Sequence, residues 1–175
     1  MLRSALFAAL LSFTAATAWA GPHRLGGGLH YLHSLGDIKE TGAGNLDLDE
    51  DSFGIIGSYQ YDTPGLFKLE ADVEYIPDFL GTDEDLIEPS AWLLLGDFIY
   101  GGGGIGIGHF NDDWMNDPWY ALRAGVDIPL GGLGLDLYGS YRFQDAGDLE
   151  DAIDNLDTVT FAAILRFGLG GGGTE

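Results

Sequence analysis

Leu133-Gly134-Leu135-Asp136-Leu137-Tyr138-Gly139-Ser140-Tyr141-Arg142-Phe143 alternates from end to end. Its odd-numbered members are Leu133, Leu135, Leu137, Gly139, Tyr141 and Phe143; the even-numbered set is Gly134, Asp136, Tyr138, Ser140 and Arg142. A period of two marks an extended strand, because successive side chains point to opposite faces of a sheet. This strand therefore has an apolar face that ends in aromatic rings and a second face that carries an acid and a base.

The pattern recurs along the chain. In residues 66–76, Phe67, Leu69, Ala71, Val73 and Tyr75 oppose Lys68, Glu70, Asp72 and Glu74. In residues 119–128, Tyr120, Leu122, Ala124, Val126 and Ile128 oppose a set that includes Arg123 and Asp127. With 24–35, 52–62, 90–97, 98–110 and 158–167 these make eight strand segments. Most approach the roughly ten residues that a tilted strand needs to cross a bilayer. The segment 90–110 is apolar or Gly on both faces, so parity does not place its internal turn, which is expected near Gly96-Asp97.

The connections alternate in length. Residues 36–51, 77–89, 111–118 and 144–157 are moderate to long; 63–65, the join at 96–97 and 129–132 are tight. A membrane barrel has this asymmetry, with short turns at one end and longer loops at the other. A soluble sandwich has no reason for it. The faces lead the same way. If the apolar set pointed inward, Phe67, Tyr75, Tyr120, Tyr141 and Phe143 would crowd an interior that eight strands leave only wide enough to be filled by side chains. Gly26, Gly28, Gly54 and Gly134 suit that inward face better. Closure is required too, since hydrocarbon cannot satisfy the amides of a free strand edge. The expected fold is all-β: an eight-stranded antiparallel up-and-down transmembrane β-barrel.

Residues 1–20 have the form of a secretory signal peptide. Arg3 precedes an apolar stretch, and Ala18-Trp19-Ala20 provides the small-residue exit before Gly21. The expected division is signal peptide 1–20, barrel 21–167 and a Gly-rich tail 168–175. The chain contains no cysteine, which excludes disulfides, thiolate metal sites and a lipoprotein anchor. It carries 28 acids against seven Lys and Arg, a net charge of −21. Such acidity excludes nucleic acid as a partner, because phosphate binding needs a basic face. An aromatic content of 13% rules out the disorder that acidity alone would suggest.

The second half resembles a known family. Gly102-Gly103-Gly104-Ile105-Gly106-Ile107-Gly108 is similar to the Gly-rich fifth strand of OmpA-like and opacity-like outer membrane β-barrel domains. Ala124-Gly125-Val126-Asp127-Ile128-Pro129 resembles their sixth strand, and residues 135–143 resemble their seventh. Leu165-Arg166-Phe167 is similar to the aromatic-ended signal read by the barrel assembly machinery, although here the tail 168–175 follows it. The resemblance implies the cell outer membrane, contact with its lipid, and the assembly machinery as a partner during insertion.

Parity places Lys68, Glu70, Asp72, Glu74, Arg123, Asp127, Asp136, Arg142 and Arg166 in the lumen. Buried charges must be paired or neutralised, so an ion-pair network that plugs the barrel is expected. A narrow cation-preferring conduit is the sharper alternative, because acids outnumber bases. The outer loops hold acidic groups around Asp37–Asp51, Asp78–Glu88, Asp112–Asp117 and Asp145–Asp157, suited to diffuse divalent cations. Asp47-x-Asp49-x-Asp51 begins like a calcium loop, but Ser52 replaces the Gly at position six and Ser58 the Glu at position twelve. No specific metal or cofactor is expected. Lipid-modifying enzymes also use this architecture, and His30, His33, Ser34 and His109 are the residues to weigh. His33 and Ser34 point to opposite faces, while His30 and Ser34 lie too far apart along an extended strand. No catalytic residue is expected. The expected role is structural or surface-interacting, with acidic loops facing outward.

Overall fold

The computed structural model describes residues 22–34, 51–110, 113–143 and 158–169. The first twenty residues and the acidic segments 36–50 and 144–157 lie outside this set, as does the tail from residue 170. The strands are β1 (His23–Ser34), β2 (Asp51–Asp62), β3 (Phe67–Ile76), β4 (Leu86–Gly96), β5 (Ile99–Gly106), β6 (His109–Phe110), β7 (Asp113–Trp114), β8 (Trp119–Leu130), β9 (Leu133–Phe143) and β10 (Thr158–Leu169). Among the described residues the eight long ones form a ring. β1 pairs antiparallel with both β2 and β10, and the circuit runs through β3, β4, β5, β8 and β9 back to β10. The barrel is closed and has no free edge among its long strands.

Sidedness follows the alternation. Phe53 and Leu29 are 70% exposed, whereas Glu74 and Arg166 are 0% exposed. Many charged residues are buried and many large apolar ones bare, the reverse of a soluble protein. Lipid is the solvent that suits this exterior. Aromatic contacts at the outer end link Tyr31 to Phe53 and Phe161, and Tyr120 to Phe143; His23, Tyr59 and Tyr61 cluster at the inner end. Rings at both rims match the two interfacial girdles of membrane barrels. Leu137 lies midway along the outward face of β9, between Leu133 and Tyr141. Leu137→Arg is therefore expected to lower stability in phospholipid vesicles by about 2–4 kcal/mol. Urea titration would measure this, and no loss would remove β9 from the hydrocarbon.

Several boundaries differ from the sequence expectation, β8 for instance running on to Leu130. β4 begins at Leu86, so it takes Leu86–Pro89 from the presumed loop. Pro89 is tolerated because its side of the strand faces residues 107–108, where the neighbouring ladder is interrupted between β5 and β6. Its carbonyl still accepts from Ile107 N at 3.2 Å. The segment expected to run to Phe110 breaks after Gly106, and His109–Phe110 forms a short ribbon with Asp113–Trp114. β10 continues to Leu169, where Gly168 and Leu169 pair with Arg24 and His23. The turn between β4 and β5 falls at residues 97–98, beside the expected join. Gly96 has φ 125°, and a Cβ there would meet Ile99 O at 2.2 Å, so glycine is required.

The Gly-rich β5 makes room inside. A Cβ on Gly104 would lie 2.3 Å from the Trp92 ring, and one on Gly106 would lie 2.2 Å from the Trp119 ring. The two indoles, 5.9 Å apart, occupy the lumen space that β5 leaves empty.

Candidate functional site

The barrel interior is the most chemically organised region, and it is layered from the inner end outward. At the inner end, Arg24 on β1 donates to both carboxylate oxygens of Asp127 on β8, with Nη2 to Oδ1 at 3.1 Å, and to Gln60 Oε1 at 3.0 Å. Lys68 Nζ donates to Asp127 at 3.3 Å and to the Asp97 carbonyl at 3.1 Å.

Arg166 holds the next layer. It donates through Nη2 to Asp136 at 2.8 Å and Glu70 at 2.9 Å, and through Nη1 to Ser58 Oγ at 2.7 Å. Tyr100 donates to the other Asp136 oxygen at 2.6 Å, and Gln60 donates to Glu70 at 2.9 Å. One arginine on the last strand thus binds side chains from β2, β3 and β9. Closure is reinforced across the lumen as well as along the backbone seam.

Arg123 occupies the central layer. Nη1 donates to Glu70 at 2.7 Å and Nη2 to Asp72 at 3.0 Å. Its guanidinium carbon lies 3.6 Å from the Trp92 ring centroid and 3.7 Å from that of Tyr138. Arginine suits this position because its flat, weakly hydrated cation takes carboxylates at its edge and aromatic faces on its plane. Further out, Arg142 donates to Glu74 at 2.5 Å and Glu88 at 2.6 Å, over the Trp119 ring. Trp119 Nε1 donates to the second Glu88 oxygen at 2.9 Å.

All nine residues placed in the lumen by parity point into it, and the contacts above bring each to a partner of opposite charge. Sequence reasoning missed Glu88, which it assigned to an acidic outer loop. The residue lies on β4 facing inward, because the strand starts four residues earlier than 90. Its parity matches Ser90, Trp92 and Leu94, so carrying the alternation back across Pro89 was the available signal. Arg24 shares parity with Gly26 and His30 and was legible in the same way. Trp119 shares parity with Arg123, and Tyr138 with Asp136 and Arg142, so both were legible too; Trp92 and Tyr100 had no such signal, because they lie in the segment 90–110 where either parity fits.

The catalytic candidates do not assemble. His33 Nδ1 lies 2.7 Å from Asp51 Oδ1 on the exterior, and Ser34 is buried on the opposite face. His30 is buried in the lumen, 3.4 Å from Glu74. His109 stacks edge-on against Trp114 at 5.0 Å. In the second acidic group, Asp78 accepts from Asp83 N, and Asp85 accepts from Tyr75 Oη and Asp78 N. These carboxylates shape their own loop.

No protein-family model and no curated protein matches the chain. Solved structures do. Neisserial surface protein A superposes with a TM-score of 0.62 at 12% identity, covering 85% of this chain and 98% of that one. Ail, the attachment invasion locus protein of Yersinia pestis, superposes at 0.52 and 15% identity, covering 85% and 99%. The fold is that of the small outer membrane β-barrels. At these identities the likeness speaks for architecture alone, and the narrower resemblance to OmpA-like and opacity-like domains has no sequence-family match beside it.

Proposed function

We propose that this protein is an integral outer membrane barrel that acts as a closed scaffold, presenting acidic loops for interactions at the cell surface. The observation that supports this reading is the filled lumen. Arg123, clamped between two aromatic rings and two carboxylates, occupies the centre of the barrel where a conduit would need water. Removing one partner of a buried pair of this kind is strongly destabilising, which holds the centre in place. The outer membrane lipid and the barrel assembly machinery are the partners the architecture calls for. Divalent cations would gather diffusely at the acidic loops.

Detergent-extracted protein is expected to show heat-modifiable gel mobility and to fractionate with the outer membrane. A heat-insensitive protein in the soluble fraction would end this reading. Calcium titration followed by calorimetry is expected to give no saturable heat; a stoichiometric isotherm would replace the diffuse cloud with a defined site.

The narrow cation-preferring conduit is favoured by one feature, the slight acidic excess of the lumen. Glu70, Asp72, Glu74, Glu88, Asp127 and Asp136 face Arg24, Lys68, Arg123, Arg142 and Arg166. Planar-bilayer recording separates the two: the scaffold gives no resolved single-channel current, and the conduit gives cation-selective steps. We propose no enzymatic role.

A further inference from the structure

Above the Arg142 layer the lumen changes character. Leu32, Ile76 and Leu86 form a buried apolar cluster, and Phe79, Leu80, Phe110 and Met115 pack against it. The first three belong to the barrel wall. Phe79 and Leu80 come from a short 3-10 turn, Phe79–Gly81, in the 77–85 loop; Phe110 and Met115 come from the β6–β7 ribbon and the residue after it. Phe79 meets Phe110 edge-on at 5.9 Å. The loop leans inward over its own side of the mouth, and Leu80 N donates to Ser52 Oγ on the neighbouring β2 at 2.9 Å. These apolar side chains sit above layers in which ion pairs are interleaved with a second buried apolar cluster that includes Ile56, Leu94 and Ile164.

Two costs accompany the covered state. Asp78, Leu80 and Asp83 all have positive φ, at 49°, 52° and 60°. Asp tolerates this region; leucine does so poorly. Beneath the cluster, both His30 ring nitrogens, Glu74 Oε1 and Arg142 Nε are buried without a hydrogen-bond partner among the described residues, as are Asp72 Oδ1, Arg123 Nε and Tyr138 Oη in the clamp layer below. Buried polar atoms of this kind are costly until they find a partner. Displacing the loop would relax Leu80 and let water reach those atoms, at the expense of the apolar contacts. The left-handed Leu80 and the unpartnered atoms beneath it favour the uncovered state, and the apolar contacts favour the covered one.

We propose that the 77–85 loop, seated against the β6–β7 ribbon, is an apolar lid that opens to water a blind outer chamber, floored by the Arg123 clamp. Opening hydrates His30, Glu74, Glu88 and Arg142 without making a path through the barrel. The inference does not rest on the surface-interaction role, and it differs from the conduit reading by predicting access without current.

The chain's lack of cysteine makes the test clean. Thr160, fully buried on β10 and bonded to Ser140, lies above the clamp, and Ser58, bonded to Arg166, lies below it. Thr160→Cys and Ser58→Cys would each be reconstituted as the full chain in phosphatidylcholine vesicles and treated from the loop side with a small cationic thiosulfonate. Leu80→Asn keeps the left-handed backbone and removes the apolar plug. It is expected to raise Thr160→Cys labelling by about ten-fold, as a shifted local opening equilibrium does. Phe110→Ala, which acts from the ribbon side, is expected to do the same. Ser58→Cys stays unreactive, and bilayer current stays at baseline. Heat-modifiable mobility confirms that each variant is folded, and a misfolded lid variant is replaced by the other. Equal labelling with and without the lid substitutions overturns the proposal. So does a current in the lid variants, or labelling at Ser58→Cys from the loop side.

Discussion

Arg123→Ala is expected to lower the unfolding free energy in vesicles by about 3–5 kcal/mol, because it strands the buried Asp72 carboxylate. Glu70 would keep Arg166 at 2.9 Å, but Asp72 would lose its partner at 3.0 Å. The guanidinium also separates the Trp92 and Tyr138 rings, so truncation removes packing on two faces along with the charge. Urea titration scored by heat-modifiable mobility measures the loss. Pairing Arg123→Ala with Asp72→Asn should recover part of it, with a coupling of about 0.5–3 kcal/mol. A loss within about 0.5 kcal/mol, as at ordinary surface sites, would show that the central layer is solvated and does not seal the barrel.

Gly104→Val is expected to prevent the native barrel from forming. Its Cβ alone would lie 2.3 Å and 2.4 Å from two carbons of the Trp92 indole, and the γ-methyls add more. Overpacking commonly costs about 1–3 kcal/mol where neighbours can shift. Here the indole is held by Nε1 donating to Ser90 Oγ at 3.0 Å, and by Arg123 over its ring. The heat-modifiable band should vanish in Gly104→Val and return in Gly104→Val with Trp92→Leu, where volume is exchanged between paired positions on the neighbouring strands β5 and β4. Gly103→Val, on the outward face of the same strand, is the control: a Cβ there meets nothing nearer than Ala121 O at 3.6 Å. If Gly103→Val and Gly104→Val behave alike, the strand's facing is wrong.

The two substitutions divide what was legible from what was not. Arg123 could be placed from sequence, because Tyr120, Leu122 and Ala124 leave it no other face. The same logic put Arg142 and Asp136 inside and Leu137 outside. It failed at 90–110, where Leu93-Leu94-Leu95 and the glycine run satisfy either parity. There the facing is decided by the partners: Trp92 and Trp119 need the inner side of β5 bare. It failed again at Glu88, because Pro89 reads as a strand terminator unless one knows that the adjacent ladder is interrupted beside it.

Strand existence, the two faces and the charge content of the lumen were determined by the sequence alone, because a period of two is a local property of the chain. Which arginine meets which carboxylate was decided only by the tertiary structure. Those pairs join residues up to 103 positions apart, as Arg24 and Asp127 are, and depend on how far closure offsets each strand against its neighbours. The same holds for the apolar cover at the mouth. Phe79, Leu80, Phe110 and Met115 show no periodicity, and only the closed ring brings them over Leu32, Ile76 and Leu86.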